Sequence, residues 1–109
     1  MTEPKESEIQ KVILDFLRLK GFMAWKNVST GIAGGGKGKT RFYPMGQKGL
    51  ADIIALKDST TLFVEVKREK GKLTEHQKKF LNDVRNAGAL GVVARNLDDI
   101  IKVLDKYSL

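Results

Sequence analysis

The stretch Gly49 to Lys67, GLADIIALKDSTTLFVEVK, decides how the chain folds. Two apolar runs, Leu50 to Leu56 and Thr61 to Lys67, stand on either side of a polar break from Lys57 to Thr60. That spacing predicts two strands joined by a short turn, an antiparallel hairpin. Each run carries an acid in an otherwise apolar setting, Asp52 in the first and Glu65 in the second. Strand alternation places Glu65 and Lys67 on one face and Val64 and Val66 on the other.

Working outward, Ile9, Val12, Ile13, Phe16 and Leu17 recur at helical spacing. They predict a helix from Pro4 to Lys20, with Pro4 in its first turn and Gly21 as its stop. Phe22 to Val28 reads as a strand, followed by a basic, glycine-rich loop over residues 29–49 that is too long to be a mere connector. Beyond the hairpin, Arg68 to Lys72 is a basic link. Thr74 and Gln77 then have the spacing of a capping box and open a helix with Phe80, Leu81 and Val84 inside and Gly88 at its end. Leu90 to Ala94 is a buried strand. Asn96 caps a last helix with Ile100, Ile101, Val103, Leu104 and Tyr107 inward. The order is αβββαβα without internal repeats, an α/β (mixed α+β) class with a central mixed sheet flanked by helices. The 109 residues, 41% of them hydrophobic, suit one domain over the whole chain, 1–109.

Composition narrows the chemistry. The absence of cysteine excludes disulfides and zinc-thiolate sites, and His76, the single histidine, excludes a multi-histidine site within one chain. Any metal is therefore expected on oxygen ligands. No apolar run approaches the roughly 20 residues of a membrane helix, and Met1 to Glu8 is acidic without a signal-peptide core. A cytoplasmic protein with no membrane partner is expected. The net charge is +7, and residues 37–79, with eleven basic and five acidic side chains, hold six of those charges. A polyanion, first of all nucleic acid, is the expected partner.

Inside this basic segment, a hairpin brings Asp52 and Glu65 within reach of a common ion. A hard divalent cation such as Mg²⁺ takes one or two carboxylates, with waters and phosphate oxygens completing its shell. Lys67 beside them suits orienting or deprotonating an attacking water, or neutralising charge on a phosphate. The plainer alternative is an acid and a lysine on a solvent-facing sheet surface. Ala33 to Thr40, AGGGKGKT, imitates a nucleotide phosphate loop. Arg41 to Gly46 follows, however, and Pro44 and Gly46 oppose the helix such a loop must enter. Lys37, Lys39 and Arg41 are instead expected to contact nucleic-acid phosphates, together with Lys48, Arg68, Lys70 and Lys72. Phe42 and Tyr43 are read as anchors of the loop, His76 as structural and Trp25 as core or interface.

An Asp followed by Glu-x-Lys after a hairpin, with a carboxylate in the preceding helix, resembles the PD-(D/E)XK nuclease superfamily. Four joined features resemble, within it, the small virus-type VRR-NUC (replication-repair nuclease) domains. They are SEIQ at Ser7 to Gln10, GLAD at Gly49 to Asp52, EVK at Glu65 to Lys67 and TEHQ at Thr74 to Gln77. Ala51 departs from the proline usual there, while the ligand position, Asp52, is kept. The resemblance implies Asp52 and Glu65 as metal ligands, the Val66 backbone carbonyl completing the shell, and Lys67 as the catalytic lysine. Glu8 matches the helical carboxylate, and its register with Val12 and Phe16 is expected to turn it inward. Gln77 matches a glutamine that positions substrate or lysine; its alternative is capping Thr74, and one side chain is expected to fill only one of the two. The implied activity is Mg²⁺- or Mn²⁺-dependent endonucleolytic hydrolysis of DNA phosphodiesters, selective for branched DNA such as Holliday junctions, by a homodimer. The rivals are a non-catalytic nucleic-acid-binding module whose acids are structural, and a restriction-like nuclease with sequence preference.

Overall fold

A computed structural model of the chain describes residues 3–27 and 51–109. Its elements follow the expected order: α1 (Glu6–Leu19), β1 (Met23–Lys26), β2 (Ile53–Lys57), β3 (Thr60–Val66), α2 (Glu75–Asn86), β4 (Leu90–Ala94) and α3 (Leu97–Lys106). The strands form one sheet in the order β1-β2-β3-β4, antiparallel across β1–β2 and β2–β3 and parallel across β3–β4. The hairpin turns through Asp58, whose φ of 55° suits a residue type that tolerates the left-handed region. Among the described residues no helix is long and apolar enough to cross a membrane.

The core follows from the two periodicities. Ile9, Ile13 and Leu17 form one stripe of α1, and Ile100 and Leu104 one stripe of α3. Both pack on the sheet face made by Ile53, Ala55, Leu62, Val64, Val66, Val92 and Ala94. On the opposite face, α2 covers β3 and β4, with Phe80 meeting Phe63 edge-to-face at 5.4 Å and Leu81 buried. Gly91 permits this approach, because a Cβ there would lie 3.0 Å from Val84 Cγ2 and 3.2 Å from the Leu81 carbonyl. Val12 and Tyr107, expected inside, are 50% and 47% exposed. Val12 lies off the α1 stripe, and Tyr107 sits at the C-cap of α3, beyond its last helical turn.

Among the described residues β2 begins at Ile53, and the Asp52 side chain before it, not a strand backbone, meets the next amide of β3 (below). The expected strand from Phe22 to Val28 narrows to the four residues of β1. Met23 and Trp25 point outward from β1 at 68% and 38% exposure, while Ala24 between them is buried. The basic loop, with Lys37, Lys39, Arg41, Phe42, Tyr43 and Lys48, lies outside the described residues.

Both edges of the sheet meet the preceding helix in the same way. Arg18, in the last turn of α1, donates from Nε to the Ala24 carbonyl on β1 at 3.0 Å. Arg85, in the last turn of α2, donates from Nε to the Gly91 carbonyl on β4 at 2.9 Å. Each arginine precedes its acceptor by six residues, and the turn between runs through a glycine at positive φ, Gly21 at 94° and Gly88 at 100°.

Candidate functional site

β3 and β4 run in one direction and β2 in the other, so the start of β2 and the end of β3 meet at one end of the sheet. The first turns of α1 and α2 open beside it. Asp52, Glu65, Lys67 and Gln77 come together there.

Asp52 Oδ2 accepts the Val66 N–H at 2.8 Å, so a carboxylate replaces the next rung of the β2–β3 ladder. In an extended strand the carbonyl of a residue leaves on the same side as its N–H, which aims the Val66 carbonyl toward Asp52 as well. Glu65, 3% exposed, is the one charged side chain buried among the described residues. Its Oε2 accepts from Gln77 Nε2 at 2.8 Å and lies 3.8 Å from Lys67 Nζ. Its other oxygen, Oε1, is buried with no hydrogen-bond partner among the described residues. A buried carboxylate left half served is costly unless a cation or a proton completes it.

The electrostatics follow from this burial. Desolvation first, and the neighbouring Asp52 charge second, push Glu65 up to about 8, with Lys67 opposing. Burial also raises Asp52, against the Val66 amide, which favours its charged form. The closeness of the two carboxyls works in the same direction on Glu65 and favours its neutral form.

The Gln77 side chain, expected either to cap Thr74 or to make a functional contact, makes the cap and in addition bonds Glu65. Its backbone N–H donates to Thr74 Oγ1 at 3.1 Å and its Oε1 accepts the Thr74 N–H at 2.8 Å, a complete capping box. Because the Thr74 N–H must meet an oxygen, the amide is fixed with Nε2 facing Glu65. An amide has two ends, and both are used.

Glu8 is a correction. It is exposed, and its Oε1 accepts the Lys5 N–H at 2.9 Å, an N-terminal cap of α1. The carboxylate facing the site is Glu6, whose charge raises both Asp52 and Glu65. The signal was present in the sequence: Glu6 precedes Ile9, Ile13 and Leu17 at helical spacing, whereas the register with Val12 follows the exposed side.

The donor set fits a hard divalent cation with a sparse protein shell. Asp52, Glu65 with its orphaned Oε1 and the Val66 carbonyl are all oxygen donors. Among the described residues no group of three His, Cys, Asp or Glu gathers as a ready metal cage. Such a site leaves coordination positions for water and phosphate oxygens, as Mg²⁺-type ions prefer. Beyond Lys67, the exposed side chains of Arg68, Lys70 and Lys72 line the adjoining connector.

A mixed sheet in the element order αβββαβα, with the buried Glu65, the half-buried Asp52 and a lysine together at one end, is the frame of a nuclease-type domain. The chain belongs to the VRR-NUC domain family, whose model matches residues 5–96. It is similar in fold to a solved VRR-NUC domain at 23% identity and a TM-score of 0.67, covering 94% of this chain and 96% of that one. It is similar also to a VRR-NUC domain protein at 19% identity and a TM-score of 0.66, covering 97% of this chain and 89% of that one. No curated protein matches the sequence.

Proposed function

We propose that this chain is a divalent-metal-dependent DNA endonuclease that hydrolyses phosphodiester bonds and prefers branched DNA, acting as one catalytic domain over residues 1–109. The observation that carries the reading is the buried Glu65, with one oxygen unserved, paired with Asp52 and flanked by Lys67 inside the basic part of the sequence. Asp52, Glu65 and the Val66 carbonyl would hold Mg²⁺ or Mn²⁺. When bound, such an ion would supply Lewis-acid polarisation of the phosphoryl group and a lowered pKa for a coordinated water.

The protein's own groups do the rest. Gln77 fixes the rotamer of Glu65 through Oε2, which leaves Oε1 to the cation. Lys67 Nζ, 3.8 Å from Oε2, stands where an ammonium orients the attacking water or neutralises charge developing on the phosphate. Glu6, in place of Glu8, is the helical carboxylate of the site. Arg68, Lys70 and Lys72, with Lys37, Lys39, Arg41 and Lys48 of the basic loop, contact flanking phosphates, a sequence-independent grip. So small a domain offers few elements for reading bases, which favours substrate shape, such as a Holliday junction, over sequence. Two copies related by a two-fold axis present two sites to two strands, and the outward Met23 and Trp25 of β1 give such a homodimer an apolar surface to cover.

A panel of labelled junction, flap and duplex DNAs, assayed with Mg²⁺, Mn²⁺ or EDTA, tests this. Asp52→Ala and Lys67→Ala are expected to lower cleavage by at least about 10²-fold while binding in EDTA stays within about threefold. Failure of the wild-type protein to cut any member with either metal overturns the nuclease reading in favour of a binding module. Discrete fragments from plain duplex favour a restriction-like enzyme.

A further inference from the structure

We propose that Arg95 is a positioning residue that seats the basic connector Arg68 to Lys72 beside the acid pair before any DNA arrives. The inference rests on the nuclease reading for its purpose, though not for its geometry. Arg95 follows the last residue of β4, and its half-buried guanidinium turns back under the connector. Nη1 donates to the carbonyls of Arg68 at 2.7 Å, Glu69 at 3.0 Å and Gly71 at 2.7 Å. A planar, permanently charged donor thus gathers three backbone carbonyls of the connector, its two Nη1 hydrogens shared among them.

Other contacts make the seat firm. The Lys67 N–H donates to the Ala94 carbonyl at 3.0 Å, so the connector leaves β3 from a paired position one residue from Arg95. The Arg95 N–H is itself held by Asp99 Oδ2 at 2.8 Å, in the first turn of α3. Gly71 N–H closes onto the Arg68 carbonyl at 2.9 Å, and Glu3 accepts the Glu69 N–H at 2.9 Å.

All of these bonds from Arg95 reach backbone oxygens, and none uses the side chains of Arg68, Lys70 or Lys72. The connector's shape is fixed from beneath while its cations stay exposed, Arg68 in a surface ion pair with Glu3 at 3.2 Å and Lys70 and Lys72 facing water. A phosphate-binding segment ordered in advance does not lose that conformational entropy on binding, so the benefit is read in affinity rather than in the chemical step. Arg95 touches neither Asp52 nor Glu65, and the ladder that places Lys67 does not depend on its side chain.

The test uses the full chain. Arg95→Met keeps the aliphatic stem and removes the donors; Lys102→Met, on the exposed side of α3, is the control for loss of one charge. Arg95→Met is expected to weaken junction binding in EDTA about tenfold and to raise KM similarly with kcat within about threefold. Trypsin should cut after Arg68, Lys70 or Lys72 about tenfold faster, whereas Lys102→Met should shift each quantity by less than about twofold. Equal effects of the two variants, an unchanged tryptic rate, or a fall in kcat as large as the rise in KM overturns the proposal. Amide exchange on the wild-type protein decides the matter if Arg95→Met does not fold. Glu69 and Gly71 should be protected without DNA, and protection that arises only with DNA overturns it. Binding and proteolysis need no cleavage, so they judge Arg95 even if Asp52→Ala cuts like the wild type and the nuclease reading itself falls.

Discussion

Replacing Glu65 with glutamine should make the metal-free protein more stable while removing its activity. In the folded chain Glu65 is pushed up to about 8, from an ordinary value of 4.5. Between those two pH values the folded state keeps a proton that the unfolded state releases, so folding weakens as pH rises. The destabilisation is absent below about pH 4.5 and complete above about pH 8. Each pH unit in that window is worth about 1.4 kcal/mol, which sets a ceiling of about 5 kcal/mol. Relaxation of the site around the ionised carboxylate brings the expected loss to about 2–3 kcal/mol. Glutamine keeps the shape and an oxygen for Gln77 Nε2 but carries no charge. At pH 8 in EDTA, Glu65→Gln should therefore melt roughly 10 °C higher than wild type, and the gap should close near pH 5. Comparing variant with wild type at each pH cancels the titration of every other group. Divalent metal at pH 8 should restore stability to the wild type and do little for the variant. A variant no more stable than wild type at pH 8 in EDTA, or a gap independent of pH, would refute the assignment of Glu65 as a buried charge awaiting a cation.

Three further outcomes follow from the geometry. Glu6→Gln should alter the metal dependence of cleavage, measured by Mg²⁺ titration, whereas Glu8→Ala should leave it unchanged and cost about 0.5–1 kcal/mol of stability through the cap it loses. Gln77→Leu should lower kcat about tenfold or more and also destabilise α2, while Thr74→Ala should show the stability loss of about 1 kcal/mol with a smaller effect on kcat; equal effects on kcat would mean that Gln77 serves the helix alone. Gly91→Ala should lower the urea midpoint by the equivalent of about 1–3 kcal/mol, since its methyl would press on Val84 and the Leu81 carbonyl.

The element order was legible because each element announces itself locally: alternation over Thr61 to Val66, a three- and four-residue stripe over Ile9 to Leu17, caps at Thr74 and Asn96. The hairpin also made the meeting of Asp52 and Glu65 predictable. What misled was the choice between helical registers one or two residues apart. Val12 and Phe16 are apolar enough to suggest the face that includes Glu8, although the stripe of Ile9, Ile13 and Leu17, which the packing of α1 on the sheet selects, points to Glu6. Gln77 was misjudged for another reason, since motif logic assigns a residue one role whereas its amide presents an acceptor and a donor to different partners. Arg95 carried no signal at all. Its acceptors are backbone carbonyls, which every sequence has, brought near by a parallel β3–β4 pairing that joins residues more than 20 positions apart.

The paired arginines at the sheet margins bear on how copies of this chain meet. β1 and β4 are the outer strands among the described residues, and on each an arginine from the preceding helix already occupies an outward carbonyl. A strand from a neighbouring molecule seeking to extend the sheet would have to displace a charge-assisted hydrogen bond at either end. Open-ended extension of the sheet is thereby discouraged at both of these margins. The six-residue spacing across a glycine supplies this protection within a single helix–turn–strand joint, so each margin carries its own guard without help from any other part of the sheet.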